Sequence, residues 1–211
     1  MQKKYLTATY YFDIESPEIQ ELIADYTLVP ESEKIARLYL KVRDGWRYSP
    51  FNIGLTAKHF KASSIFRKNE AHCIDKSILY IAGLRALGIP ARLRLAKVSN
   101  HIAVERLEKK LGTSEIAPHG LVEVYNNGKW VKCSPIFNKE LCALYNVEPL
   151  DFDGSENAIL QEYNSNDLKF MEYIEDYGSF KDVPLDFIKE TFKNMYPSLY
   201  DVFKNENEIT I

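Results

Sequence analysis

Two helices are predicted from the spacing of apolar residues in the first half of the chain. In the first helix, apolar residues recur at helical spacing after an acidic, proline-started segment, at Ile35, Leu38, Tyr39 and Val42. In the second, a largely apolar run extends from Ile74 to Leu87 and predicts an apolar helix. It is expected to end at Gly88 and Pro90, because glycine adopts the left-handed cap and proline cannot continue a helix.

Alternating or aromatic stretches predict strands on either side of these helices. Arg92 to Val98 alternates and predicts a strand with one buried face. Lys3 to Ile14 is rich in Tyr, Thr and Phe and is also expected to be a strand. Trp46 to Leu55, which contains Pro50 and Gly54, predicts an irregular loop. The charged segment from Val104 to Leu111 has helical periodicity and predicts a solvated helix.

A β-hairpin is predicted between His119 and Ser134. Asn126-Asn127-Gly128 lies between two alternating runs, and Asn-Gly is a strong signal for a two-residue turn. An even loop places three pairs opposite each other: Tyr125 and Trp130 as an aromatic pair, Glu123 and Lys132 as an ion pair, and Leu121 and Ser134. The same register puts His119 and Ser134 on one face and turns Cys133 toward the core. A three-residue loop with a bulge would invert the two faces.

Length and charge narrow the possible functions. The chain has 211 residues, 45% of them hydrophobic, which is enough for one domain with its own core. Its formal net charge of −3 gives no reason to expect nucleic acid or an anionic membrane as a partner. No run is long enough to span a bilayer, and the first residues do not resemble a signal peptide.

The three cysteines are Cys73, Cys133 and Cys142. An odd number argues against a disulfide framework and favours a reducing compartment, so a cytoplasmic location is expected. The cysteines and His72, His101 and His119 are scattered without the paired spacing of structural zinc sites. We therefore expect neither a metal nor a cofactor.

Cys73 is the main candidate for chemistry, because it lies where the second helix is expected to begin. Unpaired backbone N–H groups and the positive end of the helix dipole favour a thiolate at that place. His72 should point about 100° around the helix from it and is expected to be exposed or at the rim. His119 is the first candidate for a base and His101 the second, since a strand precedes His101.

These motifs together resemble the transglutaminase-like superfamily of papain-type cysteine enzymes. The resemblance covers about residues 35 to 136: Cys73 opens a helix, Arg85-Ala86-Leu87-Gly88-Ile89-Pro90-Ala91-Arg92 closes it, His119-Gly120-Leu121-Val122-Glu123-Val124-Tyr125 follows, and Lys129-Trp130-Val131 comes after the turn. It implies an α+β fold in which the nucleophile helix packs on an antiparallel sheet. The pattern of residues beyond the resemblance predicts a mostly helical C-terminal extension.

The resemblance also implies the roles of the site residues. Cys73 would be the nucleophile and His119 its base, with a thioester intermediate and the backbone N–H of Cys73 as one oxyanion donor. Where such families place an aspartate, this chain has Ser134, which can orient an imidazole but cannot stabilise its charge. Other groups that could orient His119 are Asn138, Asn100, Asp151 and Asp153.

The sequence thus predicts one transglutaminase-like domain over residues 1–211, with a motif-bearing core at 35–145 and an extension at 146–211. Helical segments are expected in the extension around Leu168 to Tyr177 and Phe187 to Phe203. The expected function is hydrolysis of an amide or peptide bond in a peptide-like substrate. Acyl transfer to an amine and a catalytically silent binding or scaffold protein are the alternatives, and the oligomeric state stays open.

Overall fold

A computed structural model describes residues 2–101, 105–203 and 208–210, and gives the backbone alone for 105–107, 202, 203 and 208–210. The helices are α1 (Pro17–Ile23), α2 (Glu31–Gly45), α3 (Ala62–Phe66), α4 (Cys73–Ala86), α5 (Glu105–Leu111), α6 (Lys139–Leu144), α7 (Leu185–Met195) and α8 (Pro197–Phe203). The strands are β1 (Arg47–Tyr48), β2 (Asn52–Gly54), β3 (Glu70–Ala71), β4 (Ala91–Asn100), β5 (Glu115–Asn126), β6 (Lys129–Cys133), β7 (Met171–Phe180) and β8 (Glu208–Thr210).

A four-stranded antiparallel sheet of order β6-β5-β4-β7 forms one side of the core, and α4 packs against β4 and β5. The predicted α+β fold, in which the helix that begins at Cys73 packs on an antiparallel sheet, is therefore confirmed. Two small sheets lie apart from it, a parallel pair of β1 and β3 and an antiparallel pair of β2 and β8.

The central helix α4 begins and ends where its sequence predicts. At its start His72 is the N-cap, and its ring Nδ1 accepts a hydrogen bond from the Asp75 N–H. At its end Gly88 has a φ of 81°, and the N–H of Ile89 reaches the carbonyl of Leu84 over 2.9 Å. This is a Schellman cap, which only a left-handed residue such as glycine forms without strain.

The hairpin forms in the predicted register. Tyr125 lies opposite Trp130, with their rings 5.3 Å apart, and Glu123 lies opposite Lys132. Cys133 is fully buried, as expected from the face it occupies. Two expectations were wrong. Glu123 pairs with arginines of β4 rather than with Lys132, and the β5–β6 ladder ends before Leu121 could meet Ser134.

The expectations for irregular segments need correction. Lys3 to Ile14 is not a strand: it holds a 3₁₀ turn at Lys3–Tyr5 and no strand in any of its residues. Its aromatic residues serve as anchors instead, since Tyr5 stacks edge-on against Trp130 and Phe12 is fully buried. Two short strands, β1 and β2, interrupt the predicted loop at Trp46 to Leu55. The predicted helix at Val104 to Leu111 appears as α5, and Val104 itself lies outside the described residues.

The C-terminal extension is less helical than predicted. Leu168 to Tyr177 was expected to be a helix, but most of it belongs to β7, which pairs with β4 at the edge of the main sheet. The open edge of β4 supplies backbone partners that local periodicity cannot reveal. Further along, α7 and α8 confirm the helical expectation for Phe187 to Phe203.

Buried charges inside α4 were not expected from its apolar character. Lys76 is fully buried, and its ammonium donates to the carbonyls of Arg43 at 2.7 Å and Ile136 at 2.6 Å. Burial lowers the pKa of Lys76 to about 7. Lys76 thus joins α4 to the end of α2 and to the segment after β6.

Because the pKa of Lys76 is lower in the folded chain, the unfolded chain binds more protons between pH 7 and pH 10. Stability contributed by this group therefore rises with pH across that range. We predict that, as the pH is raised from 7 to 10, the free energy of unfolding of the native protein increases relative to that of a Lys76→Met variant. The increase is at most about 5 kcal/mol in total. Urea denaturation of both proteins at several pH values checks this, and parallel curves would contradict it.

Candidate active site

Cys73 occupies the first position of α4 and is 6% exposed. Burial raises the pKa of its thiol to about 11, while the backbone N–H groups of Gly120, Ile74 and Cys73 itself act in the opposite direction by hydrogen bonding to the sulfur. Asp75, two residues later, raises the pKa further through its negative charge. The expectation that the start of the helix favours a thiolate was therefore wrong for this site, because the effect of burial on the pKa exceeds that of the backbone N–H groups and the sulfur is a protonated thiol.

The close contact between α4 and β5 depends on Gly120. A Cβ atom at this position would lie 2.8 Å from the Cα of Ile74 and 3.1 Å from the carbonyl oxygen of Cys73. Only a residue without a side chain allows the strand to approach the first turn this closely. Gly120 therefore places a backbone donor beside the sulfur.

His119 precedes Gly120 in β5 and pairs with Ala96 of β4. Neighbouring residues of a strand face opposite sides, so the His119 side chain leaves the strand from the face opposite to the one that touches α4. Its ring is 1% exposed, and burial lowers its pKa to about 4. Neither ring nitrogen has a hydrogen-bond partner among the described residues. The structure brings the backbone of β5 to Cys73 but forms no thiol–imidazole hydrogen bond.

The groups proposed to orient His119 have other partners. Ser134 is buried directly after β6, and its carbonyl accepts a 2.9 Å hydrogen bond from the Tyr39 hydroxyl. Asn138 accepts a 3.0 Å hydrogen bond from the Tyr48 N–H through its side-chain oxygen. Asp151 pairs with Arg43 at 2.6 Å. Since both His119 nitrogens lack partners in the described part of the chain, none of these groups holds the ring.

The remaining candidates are Asn100 and His101 at the end of β4, and Asp153 in the loop after α6. Asn100 is the last residue of β4, four positions beyond the Ala96 that faces His119, a distance of about 13 Å along a strand. His101, the second candidate base, pairs with Glu172 at 3.4 Å. Asp153 accepts the N–H of Ser155 in a local turn.

His72 is buried, so the prediction that it is exposed was wrong. A helical offset of 100° does not apply to an N-cap residue, whose backbone is extended. Its ring folds under the first turn, stacks 5.7 Å from the ring of His59, and places Nε2 3.3 Å from Asp75. Histidine is not among the residues commonly found at an N-cap, so nothing in the sequence indicated this arrangement.

The arrangement of His59, His72 and Asp75 is the one described cluster whose spacing could hold a metal ion. The Lys68 ammonium lies within it, 2.9 Å from Asp75 and 3.0 Å from the His59 Nε2. His72 accepts a backbone hydrogen bond at Nδ1, which leaves its proton on Nε2 facing the Asp75 carboxylate. The Lys68 ammonium satisfies Asp75 Oδ2, whereas Asp75 Oδ1 and His72 Nε2 have no hydrogen-bond partner among the described residues. In the described structure the cation of this cluster is thus the protein's own ammonium.

A narrow cavity of about 60 Å³ opens beside Cys73. His72 and Cys73 contribute to its lining together with residues of β2, β5 and α7, whereas His119 does not. On the other side of the segment that holds β1 and β2, a wider and more polar groove of about 500 Å³ is lined by Arg47, Glu70 and Glu140 among others. Tyr48 borders both.

The pH dependence of alkylation follows from the state of this thiol. Because the thiolate is the reactive form and the pKa of Cys73 is about 11, its reaction with iodoacetamide should accelerate about tenfold per pH unit from pH 7 to pH 10. Peptide mapping by mass spectrometry follows each of the three cysteines separately. A rate at Cys73 that is already constant below pH 8 would contradict the described thiol environment.

No helix in the described part of the chain combines the length and the apolar composition needed to cross a membrane. No curated protein matches the chain. Among solved structures it is similar to a protein from Cytophaga hutchinsonii that is described as a putative cysteine protease, with a TM-score of 0.51 and 16% identity. The match covers 87% of this chain and 48% of the other, so this chain spans about half the length of that protein.

The model of the transglutaminase-like superfamily matches residues 21–135, which is more than half of the chain. The matched region contains α4, the β4–β5 pair and the hairpin, and it ends directly after Ser134. Both the match and the observed fold agree on the family: this chain belongs to the transglutaminase-like superfamily.

Proposed function

We propose that this protein cleaves an amide or peptide bond with Cys73 as the nucleophile, through a thioester, and that water is the acyl acceptor. The observation that carries the proposal is the position of the sulfur: it lies at the start of α4 beside a cavity, and the backbone N–H groups of Gly120 and Ile74 lower the pKa of the thiol against the effect of burial. Membership of the superfamily and the fold shared with a protein described as a putative cysteine protease support it.

The proposed reaction has two halves. The Cys73 sulfur attacks the carbonyl carbon as its proton passes to His119, and the N–H of Cys73 donates to the oxyanion. The C–N bond then breaks, the amine leaves with the proton from His119, and a thioester remains. Water attacks the thioester, the acid is released, and Cys73 regains its proton.

The proposal assigns His119 a role that requires movement. Rotation of the side chain alone cannot carry the ring to Cys73 from the far face of β5, so the strand must also rearrange locally when substrate binds, and the catalytic hydrogen bond forms only in the substrate complex. Ser134 is proposed to accept the second ring N–H once the imidazole has turned. A serine hydroxyl stabilises an imidazolium less than a carboxylate does, so we expect modest turnover.

Two alternatives are each favoured by a particular observation. The polar groove next to Tyr48 carries Glu70 and Glu140, which could receive an amine and so favour acyl transfer. The unpartnered nitrogens of His119 and the lack of a carboxylate at Ser134 favour a catalytically silent binding protein on the same fold.

One assay separates the three functions. The protein is incubated with an N-acetylated peptide amide and a fluorescent primary amine, and the products are resolved by mass spectrometry. Free acid alone supports hydrolysis, fluorescent amide supports transfer, and the absence of both supports a silent protein. Loss of product in His119→Ala but not in His101→Ala would support His119 as the base, and undiminished turnover in Ser134→Ala would remove Ser134 from the site.

A further inference from the structure

The walls of the cavity beside Cys73 come from distant parts of the chain. Ile53 belongs to β2 and Ile116 to β5, while Ile188 and Phe192 belong to α7 in the C-terminal extension. Among the described residues that line it, none is Asp, Glu, Lys or Arg. A charged group entering this cavity would lose its hydration and find no counter-charge, which is strongly unfavourable.

The polar and titratable side chains in the lining belong to Tyr48, His72, Cys73 and Tyr196, and none of them is charged at neutral pH. The Tyr196 hydroxyl donates to the carbonyl of Glu115 at 2.9 Å and accepts the N–H of Ala117 at 3.0 Å. His72 is neutral, because burial lowers its pKa to about 3. A carboxamide side chain would therefore find few donors and acceptors there, whereas an aliphatic one needs none.

The size of the cavity points to a single side chain. Pockets that enclose a whole small ligand measure roughly 300 to 1,000 Å³, far above the 60 Å³ found here. Polar and charged residues lie instead along the neighbouring groove, on the opposite side of the segment that carries β1 and β2. Ile53 faces the cavity, and the adjacent Asn52 faces the groove.

We infer that the acyl group attacked by Cys73 carries a small, uncharged aliphatic side chain, which enters this cavity, and that carboxamide and acidic side chains are rejected. The inference rests on the proposed acyl chemistry, because it names the substrate class of the same thiol. The selective residues are Ile53, Ile116, Ile188 and Phe192, which touch the substrate side chain. The C-terminal extension therefore takes part in choosing the substrate.

Affinity labelling tests the inference without requiring turnover. Chloromethyl ketones of N-acetyl-leucine, N-acetyl-glutamine and N-acetyl-aspartate alkylate a thiol with loss of chloride, and their rates at Cys73 can be measured by mass spectrometry. We expect the leucine reagent to label Cys73 at least about 100-fold faster than the aspartate reagent and about 10-fold faster than the glutamine reagent. Equal rates for the three reagents, after correction for their reaction with a free thiol, would overturn the inference.

A variant in which Cys73 prefers the aspartate reagent over the leucine reagent cannot be explained by a simple folding defect. Ile53 is partly buried, so in an Ile53→Lys variant the lysine stem can lie along the wall with its ammonium near the opening. In this variant Cys73 should be labelled faster by the aspartate reagent and slower by the leucine reagent. The ratio of the leucine rate to the aspartate rate should fall by at least about 10-fold. Asn52→Lys adds the same charge on the groove side and should leave the ratio unchanged; a ratio changed equally by both variants would contradict the assignment.

The same reagents distinguish this inference from the proposed function. If the leucine reagent is preferred but no amide is cleaved by Cys73, the proposed function fails while the cavity still selects aliphatic groups. If Cys73 cleaves leucine, glutamine and aspartate amides equally well, the proposed function stands and the inference is overturned.

Discussion

Replacing Cys73 with alanine is expected to lower amide turnover by at least about 1,000-fold, because the reaction loses its nucleophile and has no thioester route left. The protein should remain folded, since the thiol is a small group at the edge of a cavity and its removal costs little packing. Turnover of the N-acetyl-leucine amide and a thermal melt, measured on the same preparation, check both parts.

The other two cysteines provide matched controls. Cys133 is fully buried and Cys142 is 2% exposed, and neither lines the cavity. Cys133→Ala and Cys142→Ala should reduce stability by about 1 kcal/mol and leave turnover nearly unchanged. Turnover that survives in Cys73→Ala but disappears in either control would show that the nucleophile lies elsewhere.

Replacing Gly120 with alanine is the second change with a large expected effect. The new methyl group would lie 2.8 Å from the backbone of Ile74, and backbone cannot swing aside as a flexible side chain can. We expect the first turn of α4 and β5 to separate by a few tenths of an ångström. The free energy of unfolding should fall by about 1 to 3 kcal/mol, and turnover should fall more than 10-fold because the Gly120 N–H moves away from the sulfur.

Gly45 offers the same substitution without the clash. It is the last residue of α2, and a Cβ atom there meets nothing within 4 Å. Gly45→Ala should be neutral or stabilising by up to about 1 kcal/mol, since alanine favours helix more than glycine does. Urea denaturation of both variants measures the difference; similar stabilities would mean that the contact between α4 and β5 is looser than described.

The parts of the fold that local chemistry dictates could be predicted from the sequence. Asn127 and Gly128 adopt the positive φ angles that a two-residue turn needs, so the hairpin register followed from their position alone. Gly88 ended α4 for a similar reason. At these positions the residue type favours one backbone conformation over all others.

Segments whose structure depends on distant partners could not be predicted. Lys3 to Ile14 has strand-forming residues but finds no strand to pair with, whereas β7 exists because the edge of β4 is open to it. The buried ammonium of Lys76 is stabilised by carbonyls of two other segments. Residue spacing within a helix carries no information about such partners.

The candidate site also has features that the sequence predicts and features that depend on distant parts of the chain. The position of Cys73 at the start of α4 followed from the apolar run that begins at Ile74, and the structure confirms it. The contact made by Gly120 and the wall supplied by α7 required the tertiary structure. The thiol–imidazole pair with His119 stays a prediction, because alternation along β5 directs the backbone of Gly120, and not the ring of His119, at α4.

The most direct test of the central claim is to trap the acyl intermediate. The protein is mixed with an N-acetyl-leucine amide substrate, quenched with acid within the first turnover, digested and examined by mass spectrometry. The proposed reaction predicts an N-acetyl-leucyl mass on the peptide that contains Cys73 in native protein, and none in Cys73→Ala. An acyl group on a different residue, or cleavage of the substrate by Cys73→Ala at the native rate, would contradict it.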